Sequence, residues 1–582
     1  MGLGRLAGIA TGMMSLINIL RNILLTTANL LHSLRRKGLD CVILPIGGPY
    51  PELPPLRDPL PFPFNRLPLR PSVTTLEDMR KATEKIGGDP RVQTVVLHFD
   101  SLSAGPAALY SLRRMLLDLR NKGKRLIAWL PGADTWDYYL ASACDEIILP
   151  PSGRLSVLGL RIETTFLKDT LELIGVKADL ESIGEYKASP DTFRRATMTQ
   201  PHREMMDAIL DSYFDEVIAA IAEGRGLDPD RARETIDRMP LLPGEALEAG
   251  LIDAVLYEDE LAAHIRPPEK EGEKAAPLCA WHDAARWLRQ PIKRNTRHVV
   301  GVVSVEGMIV PGRSRRMPIP LPLPIAETQA GAETIIQALR QAEADKRIAA
   351  IILHVDSPGG SALASDLICR EVRRLRASKP VVVLMGEYAA SGGYYIAALA
   401  NRIVARPTTL TGSIGIWGGK FTLGGLYGKL GVNRELQQRG AMAGIYSDTT
   451  PFSEAERAWI RRDMGETYVQ FKALVAEGRK LTEERVEEIA RGRVWSGTQA
   501  REIGLADELG DFETALALAK DLAGFKSEQD VPAVQVSPPR RMLTPRPFPT
   551  PGEAWMELLD ALRGLAREQI WALAPWVMQI RG

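Results

Sequence analysis

The chain has 582 residues, 45% of them hydrophobic and 25% charged, and its 73 Lys+Arg nearly cancel its 72 Asp+Glu, leaving a formal net charge of +1. That is the composition of an ordinary globular protein, and it argues against a basic nucleic-acid-binding surface. The four cysteines (Cys41, Cys144, Cys279 and Cys369) lie far apart and the seven histidines are scattered, so spacing supports neither a disulfide framework nor a dedicated metal site.

Residues 6–34 are strongly apolar, but Arg21, with Asn18, Asn22 and Asn29, interrupts them. The unbroken part ends at Leu20 and is shorter than the roughly 20 residues that span a bilayer. A central arginine costs about 2.5–3.5 kcal/mol on insertion. Residues 1–40 therefore read as a membrane-associating segment, either a marginal span or an interfacial helix. If the segment spans, Arg35, Arg36 and Lys37 keep the following chain on the cytoplasmic side. Residues 41–73 hold Pro45, Pro49, Pro51, Pro54, Pro55, Pro59, Pro61 and Pro63 and read as an extended connector.

A folded unit is expected over 74–265. Residues 82–86 are helical in character, 92–100 a strand, 107–119 a helix and 125–130 a strand, the order of parallel βαβ units. Residues 266–297 open with Pro267-Pro268-Glu269-Lys270 and read as a charged linker. A second unit over 298–525 repeats the order, with strands at 299–305, 348–356 and 381–385 and a helix at 364–375. The tail, 526–582, ends in an apolar stretch over 554–580 that carries Trp555, Trp571 and Trp576. It reads as an amphipathic helix or helix pair for docking on the protein, a subunit or a membrane surface.

The two units align residue by residue. Leu97-His98-Phe99-Asp100-Ser101 matches Leu353-His354-Val355-Asp356-Ser357, and Tyr138-Tyr139 matches Tyr394-Tyr395 at the same offset. Further on, Ala222-Glu223-Gly224-Arg225 matches Ala476-Glu477-Gly478-Arg479. This is a tandem duplication of one α/β domain, and it overrides the several domains that length alone suggests.

Duplication sorts residues. What both copies keep serves the fold; what one copy keeps is a candidate for chemistry. His98 and His354 are equivalent, as are Asp100 and Asp356, so neither pair reads as part of a triad. Ser391 is different: it sits on a strand-to-helix turn beside Gly392-Gly393, where the first copy has Thr135-Trp136-Asp137. The Gly-rich turn Asp356-Ser357-Pro358-Gly359-Gly360 also keeps its glycines only in the second copy. Backbone N–H groups from both turns could converge on one oxyanion. A serine nucleophile needs a base, and without a qualifying histidine a neutral lysine is the option. Lys187, in Glu185-Tyr186-Lys187-Ala188-Ser189-Pro190, has Ala443 as its counterpart. Serine and lysine are each lost from the opposite copy.

At these residues the chain resembles the signal peptide peptidase A family of serine peptidases, in its long, duplicated form. Asp356-Ser357-Pro358-Gly359-Gly360-Ser361, Ala390-Ser391-Gly392-Gly393-Tyr394, Leu410-Thr411-Gly412-Ser413-Ile414-Gly415 and Tyr186-Lys187 carry the resemblance, which covers roughly 75–525. It implies a ClpP/crotonase-like α/β fold in each copy. It implies Ser391 as nucleophile, Lys187 as general base, Ser413 as the residue orienting the lysine, and Gly359 and Gly392 as the oxyanion hole. No metal or cofactor is implied. The substrates implied are remnant signal peptides and other short apolar peptides at a bacterial inner membrane, and the assembly implied is a bowl-like homotetramer. The poor N-terminal span leaves the side of the membrane open. A crotonase-like acyl-CoA enzyme and a catalytically silent scaffold of the same fold are the alternatives.

Overall fold

The computed structural model describes residues 38–54, 73–267, 275–291, 296–316, 328–526, 529–538, 570–573 and 579–581, with positions 22, 24–27, 29 and 30. The apolar segment 1–40 thus falls almost wholly outside the described residues. Among those described, no helix is long and apolar enough to cross a membrane.

Each copy is built on its own sheet. The first has six strands, all parallel, in the order Ala254–Val255, Glu146–Leu149, Arg125–Trp129, Thr94–Leu102, Cys41–Gly48, Leu278–Ala280. The second runs Val494–Ser496, Leu410–Gly412, Val381–Ala390, Ile348–Ser357, Val299–Glu306, Ala533–Gln535, with Arg402–Ala405 branching from Val381–Ala390. Val95-Val96-Leu97 and Ile351-Ile352-Leu353 are wholly buried. Such unbroken apolar runs suit central parallel strands covered on both faces. Helices Pro106–Asn121 and Ala362–Leu375 follow the equivalent strands.

Equivalent positions also bond alike. The Tyr138 hydroxyl donates to Leu251 O (2.7 Å) and the Tyr394 hydroxyl to Leu505 O (2.9 Å). Arg225 pairs with Asp253 (2.9 Å) and Arg479 with Asp507 (2.8 Å). Features shared by the copies do serve the fold.

Two expectations change. Residues 41–48, assigned to the proline-rich connector, form a strand inside the first copy's sheet. Cys41, Val42 and Leu44 are buried and Ile43 half-buried before the prolines begin, and Leu278–Ala280, assigned to the linker, adds the edge beside them. The tail also differs. Within the expected helix over 554–580, Ile570–Leu573 and Gln579–Arg581 are strands. Ile570–Leu573 lies between two strand edges that each offer unpaired backbone groups, and pairing with both outweighs a short helix. The rest of the tail lies outside the described residues.

A third sheet joins the copies. Lys177–Ile183 of the first pairs antiparallel with Ile416–Thr422 of the second, from Ile183 opposite Ile416 to Lys177 opposite Thr422. Close approach here needs glycine: a Cβ on Gly419, at φ +142°, would stand 2.2 Å from Asp179 O. Charged groups tie the same seam. The Glu387 carboxylate accepts from the N–H groups of Ala107 (3.1 Å) and Ala108 (2.8 Å), capping the first copy's helix Pro106–Asn121 from the second copy. Arg406, fully buried, donates to Ser111 Oγ (2.7 Å), to Met385 O (2.6 Å) and to the Glu52 carboxylate. Burial alone would raise the Glu52 carboxyl, but Arg406 and Arg80 hold it down at about 2.

Breaking a buried pair strands the remaining charge. Glu52→Ala and Arg406→Ala are each expected to lower stability by about 3–5 kcal/mol in urea unfolding. Glu52→Leu combined with Arg406→Met should recover most of that loss. A single-variant loss below about 1 kcal/mol would mean that the pair does not hold the halves together.

Candidate active site

Strand Val381–Ala390 ends directly before Ser391, and helix Gly392–Ala397 begins directly after it. The chain therefore reverses at one residue. Ser391 takes φ +54°, ψ −114°, a conformation that a side-chain-bearing residue adopts only under constraint. Two bonds hold it: its N–H donates to Gly412 O (2.7 Å), and its carbonyl accepts from Tyr395 N–H (2.8 Å). A Cβ on Gly393 would stand 2.6 Å from Ser357 O, so glycine there lets the two Gly-rich turns meet.

Lys187 reaches this turn from the first copy. The joining strand Lys177–Ile183 delivers its loop, and Tyr186 N–H fixes that loop by donating to Arg491 O (3.0 Å). Lys187 Nζ lies 2.7 Å from Ser391 Oγ, 3.0 Å from Ser413 Oγ and 3.0 Å from Ser413 O. Lys187, Ser391 and Ser413 are all buried. Burial pushes the Lys187 amine well below the usual lysine range, with no carboxylate acting to raise it again. Ser413 is itself in the left-handed region, at φ +49°, and its N–H donates to Arg493 O (2.7 Å).

The two glycines expected to bind an oxyanion differ in state. Gly392 opens a helix, and a first-turn N–H has no intrahelical acceptor. The Gly359 N–H is engaged, donating to Ser357 Oγ at 3.1 Å. The shared acids and histidines stand apart from the serine. Asp356 accepts from Tyr388 N–H (3.1 Å). The His354 Nδ1 is 3.3 Å from Ser304 Oγ, and burial lowers its pKa to about 4. His98 stacks on Trp129 with ring centroids 4.8 Å apart. In the first copy Thr135 Oγ1 donates to Gly159 O (2.9 Å), a structural bond at the position equivalent to Ser391. Among the described residues, no group of three or more His, Cys, Asp or Glu side chains could hold a metal ion.

Residues 118–270 and 373–526, one stretch from each copy, match peptidase family S49. The chain belongs to this family. Its relatives include the serine protease SPPA, chloroplastic, of Arabidopsis thaliana, 32% identical over 461 residues, covering 79% of this chain and 67% of that one. Protease 4 of Haemophilus influenzae is 30% identical over 466 residues, covering 78% and 74%. A putative signal peptide peptidase SppA of Enterococcus faecium is 35% identical over 185 residues, covering 32% and 54%. Among solved structures, a ClpP1 mutant from Listeria monocytogenes matches with 16% identity and a TM-score of 0.23, covering 37% of this chain and 94% of that one. This chain is a serine-type S49 peptidase with a duplicated α/β domain. Peptide hydrolysis thus stands in place of the acyl-CoA and scaffold alternatives.

One part of this candidate site was missed in the sequence. Arg491-Gly492-Arg493 supplies carbonyls that hold both the lysine loop and Ser413. A Cβ on Gly492, at φ +80°, would stand 2.6 Å from the Lys187 backbone N. A glycine between two arginines was the available signal, but nothing local links that turn to Lys187. Gly492→Ala is expected to push the lysine loop off the serine and lower kcat about 100-fold, the scale of a 1 Å misplacement. Circular dichroism should show a retained fold; full activity in the folded variant would remove Gly492 from the site.

Proposed function

We propose that this S49 peptidase hydrolyses short, extended, apolar peptides, remnant signal peptides among them, through an acyl-enzyme on Ser391 with Lys187 as general base. The observation that carries the reading is the 2.7 Å approach of Lys187 Nζ to Ser391 Oγ, both buried, from opposite copies. The division of labour follows: the first copy, 74–265 together with the strands at 41–48 and 278–280, supplies the base, and the second, 298–525, supplies the nucleophile.

A neutral amine has one lone pair and two N–H donors. Three neighbours match that inventory: Ser391 Oγ–H donates to Nζ, and the two N–H groups donate to Ser413 Oγ and Ser413 O. Ser413 thereby orients the lone pair. As Ser391 Oγ attacks the scissile carbonyl carbon, its proton passes to Nζ. The oxyanion is received by the Gly392 N–H and by the Gly359 N–H once that group leaves Ser357 Oγ. Collapse breaks the C–N bond, and the Lys187 ammonium protonates the leaving amine. Water then loses a proton to the regenerated amine and attacks the ester; collapse breaks the C–Oγ bond, releases the carboxyl fragment, and the Lys187 ammonium returns the proton to Ser391 Oγ. The chemistry calls for no metal or cofactor.

Ser391→Ala and Lys187→Ala should each lower kcat on the order of 10⁴–10⁶-fold. Lys187→Arg should be as inactive, because its guanidinium stays protonated. Only the neutral amine accepts a proton, so kcat/KM should rise with pH through the depressed lysine pKa and then level off. Full activity in either alanine variant, or a rate that falls as pH rises from acid to neutral, would overturn the pair.

Association with a membrane through residues 1–40 and assembly into a homotetramer complete the proposal; the apolar segment and the family resemblance support them. A chain lacking 1–37 should leave the membrane fraction while keeping its peptidase activity.

A further inference from the structure

The equivalent helices Pro106–Asn121 and Ala362–Leu375 are capped in different ways. In the second copy Ser361 is the N-cap, and its Oγ accepts from Ala364 N–H (3.1 Å). The equivalent residue in the first copy is Gly105, which has no side chain to cap with. Ala108 N–H, the donor equivalent to Ala364 N–H, bonds instead to the Glu387 carboxyl at 2.8 Å, and Ala107 N–H bonds to the same carboxyl at 3.1 Å. The exchange is reciprocal, because Glu387 stands where the first copy has Pro131. A Cβ on Gly105 would stand 2.3 Å from Glu387 Cδ, and its three nearest heavy atoms all belong to that carboxyl. Gly105 thus gives up a local cap and leaves room for one from the other copy. The comparison that singles out Ser391 and Lys187 singles out Gly105 and Glu387 as well.

Glu387 lies in the stretch that leads directly into Ser391. Strand Val381–Ala390 pairs with Ile348–Ser357 as far as Met385 opposite Val355, and again at Ala389 opposite Ser357. Gly386, Glu387 and Tyr388 therefore face Asp356 alone, an irregularity of the kind that re-aims the residues after it. Two bonds hold the bulge from within the second copy: Asp356 accepts from Tyr388 N–H (3.1 Å), and Thr409 Oγ1 donates to Gly386 O (2.8 Å). The Glu387 carboxyl bonds the same bulge to the first copy. Pairing resumes with Tyr388 opposite Leu410 and Ala390 opposite Gly412, and Ser391 follows. One side chain thus links the path of the nucleophile strand to the copy that delivers Lys187.

We propose that Glu387 is a positioning residue for the reaction: by docking on the N-terminus of helix Pro106–Asn121, it fixes the bulge before Ser391 against the copy that carries Lys187, so that Oγ and Nζ stay within hydrogen-bond reach. The proposal rests on the Ser391–Lys187 reading. Capping and positioning can be separated. Gly105 has the extended backbone of an N-cap, at φ −73° and ψ 162°, so a serine there can cap the helix as Ser361 does in the second copy. With Glu387→Ala in the same chain, the carboxyl that would obstruct the new Cβ is gone.

The test measures kcat and KM on a fluorogenic apolar peptide, and the urea midpoint, for Glu387→Ala, for Gly105→Ser and for the two combined. Glu387→Ala should lower kcat about 100-fold, the scale of a 1 Å misplacement. Its KM should stay within about 2-fold, because the carboxyl is bonded to a helix end rather than to substrate. Its urea midpoint should fall with the lost cap. The combined variant should regain the midpoint but not kcat. Gly105→Ser alone should also lose kcat, because its Cβ displaces the carboxyl while its hydroxyl caps the helix; if Glu387→Ala does not fold, this variant decides. A combined variant that regains kcat along with the midpoint would reduce Glu387 to a helix cap and overturn the inference. A folded Glu387→Ala chain with full kcat would overturn it too. Cleavage by a chain carrying Ser391→Ala would instead sink the Ser391–Lys187 reading, an outcome readable apart from any effect at Glu387.

Discussion

A lysine amine taken out of water with no carboxylate beside it favours its neutral form. Lys187 is such a group, and much of the molecule is arranged to keep it so. Among the described residues its close polar partners are hydroxyl and carbonyl oxygens of Ser391 and Ser413. Those partners belong to the other copy, so the amine stays dry only while the two copies remain closed on each other. The seam therefore bears on the chemistry directly: loosening it would admit water, raise the amine's affinity for a proton and separate it from the serine.

The ties across the seam are of two kinds. Seven residues of antiparallel backbone pairing, from Ile183 opposite Ile416 to Lys177 opposite Thr422, set the path by which the lysine loop arrives. Buried polar groups then tie the copies: Arg406 with Glu52 at one point, and the Glu387 carboxyl on a helix N-terminus at another. The lysine itself carries none of these duties. Acidic groups sit in the seam and at Asp356, and the described partners of Nζ are uncharged oxygens; that separation of charge would leave the amine available as the proposed base.

Much of this was legible in the sequence because duplication provides an internal control. His354 and Asp356 beside a serine invite a triad, yet their twins His98 and Asp100 accompany no serine, and the structure engages His354 and Asp356 with other groups. Ser391 against Thr135, and Lys187 against Ala443, stood out by the same comparison. What escaped was whatever depends on contact between distant segments. The Cys41–Gly48 strand was hidden by the prolines that follow it, although its own side chains are apolar. Ile570–Leu573 carries too few residues for its period to be decisive, and only the presence of two waiting edges makes it a strand. Gly492 reads as a turn glycine until the Lys187 backbone is seen against it.

The serine and the lysine are 204 residues apart in the chain. At synthesis rates of about 5–20 residues per second, the base leaves the ribosome roughly 10–40 seconds before the nucleophile. During that interval the first copy can fold, but it holds no nucleophile. If Ser391 and Lys187 act as the proposed pair, a truncated or proteolytically separated half of either kind is inert as a hydrolase. Splitting the pair between the copies makes completion of the chain and docking of its halves the conditions under which proteolysis begins.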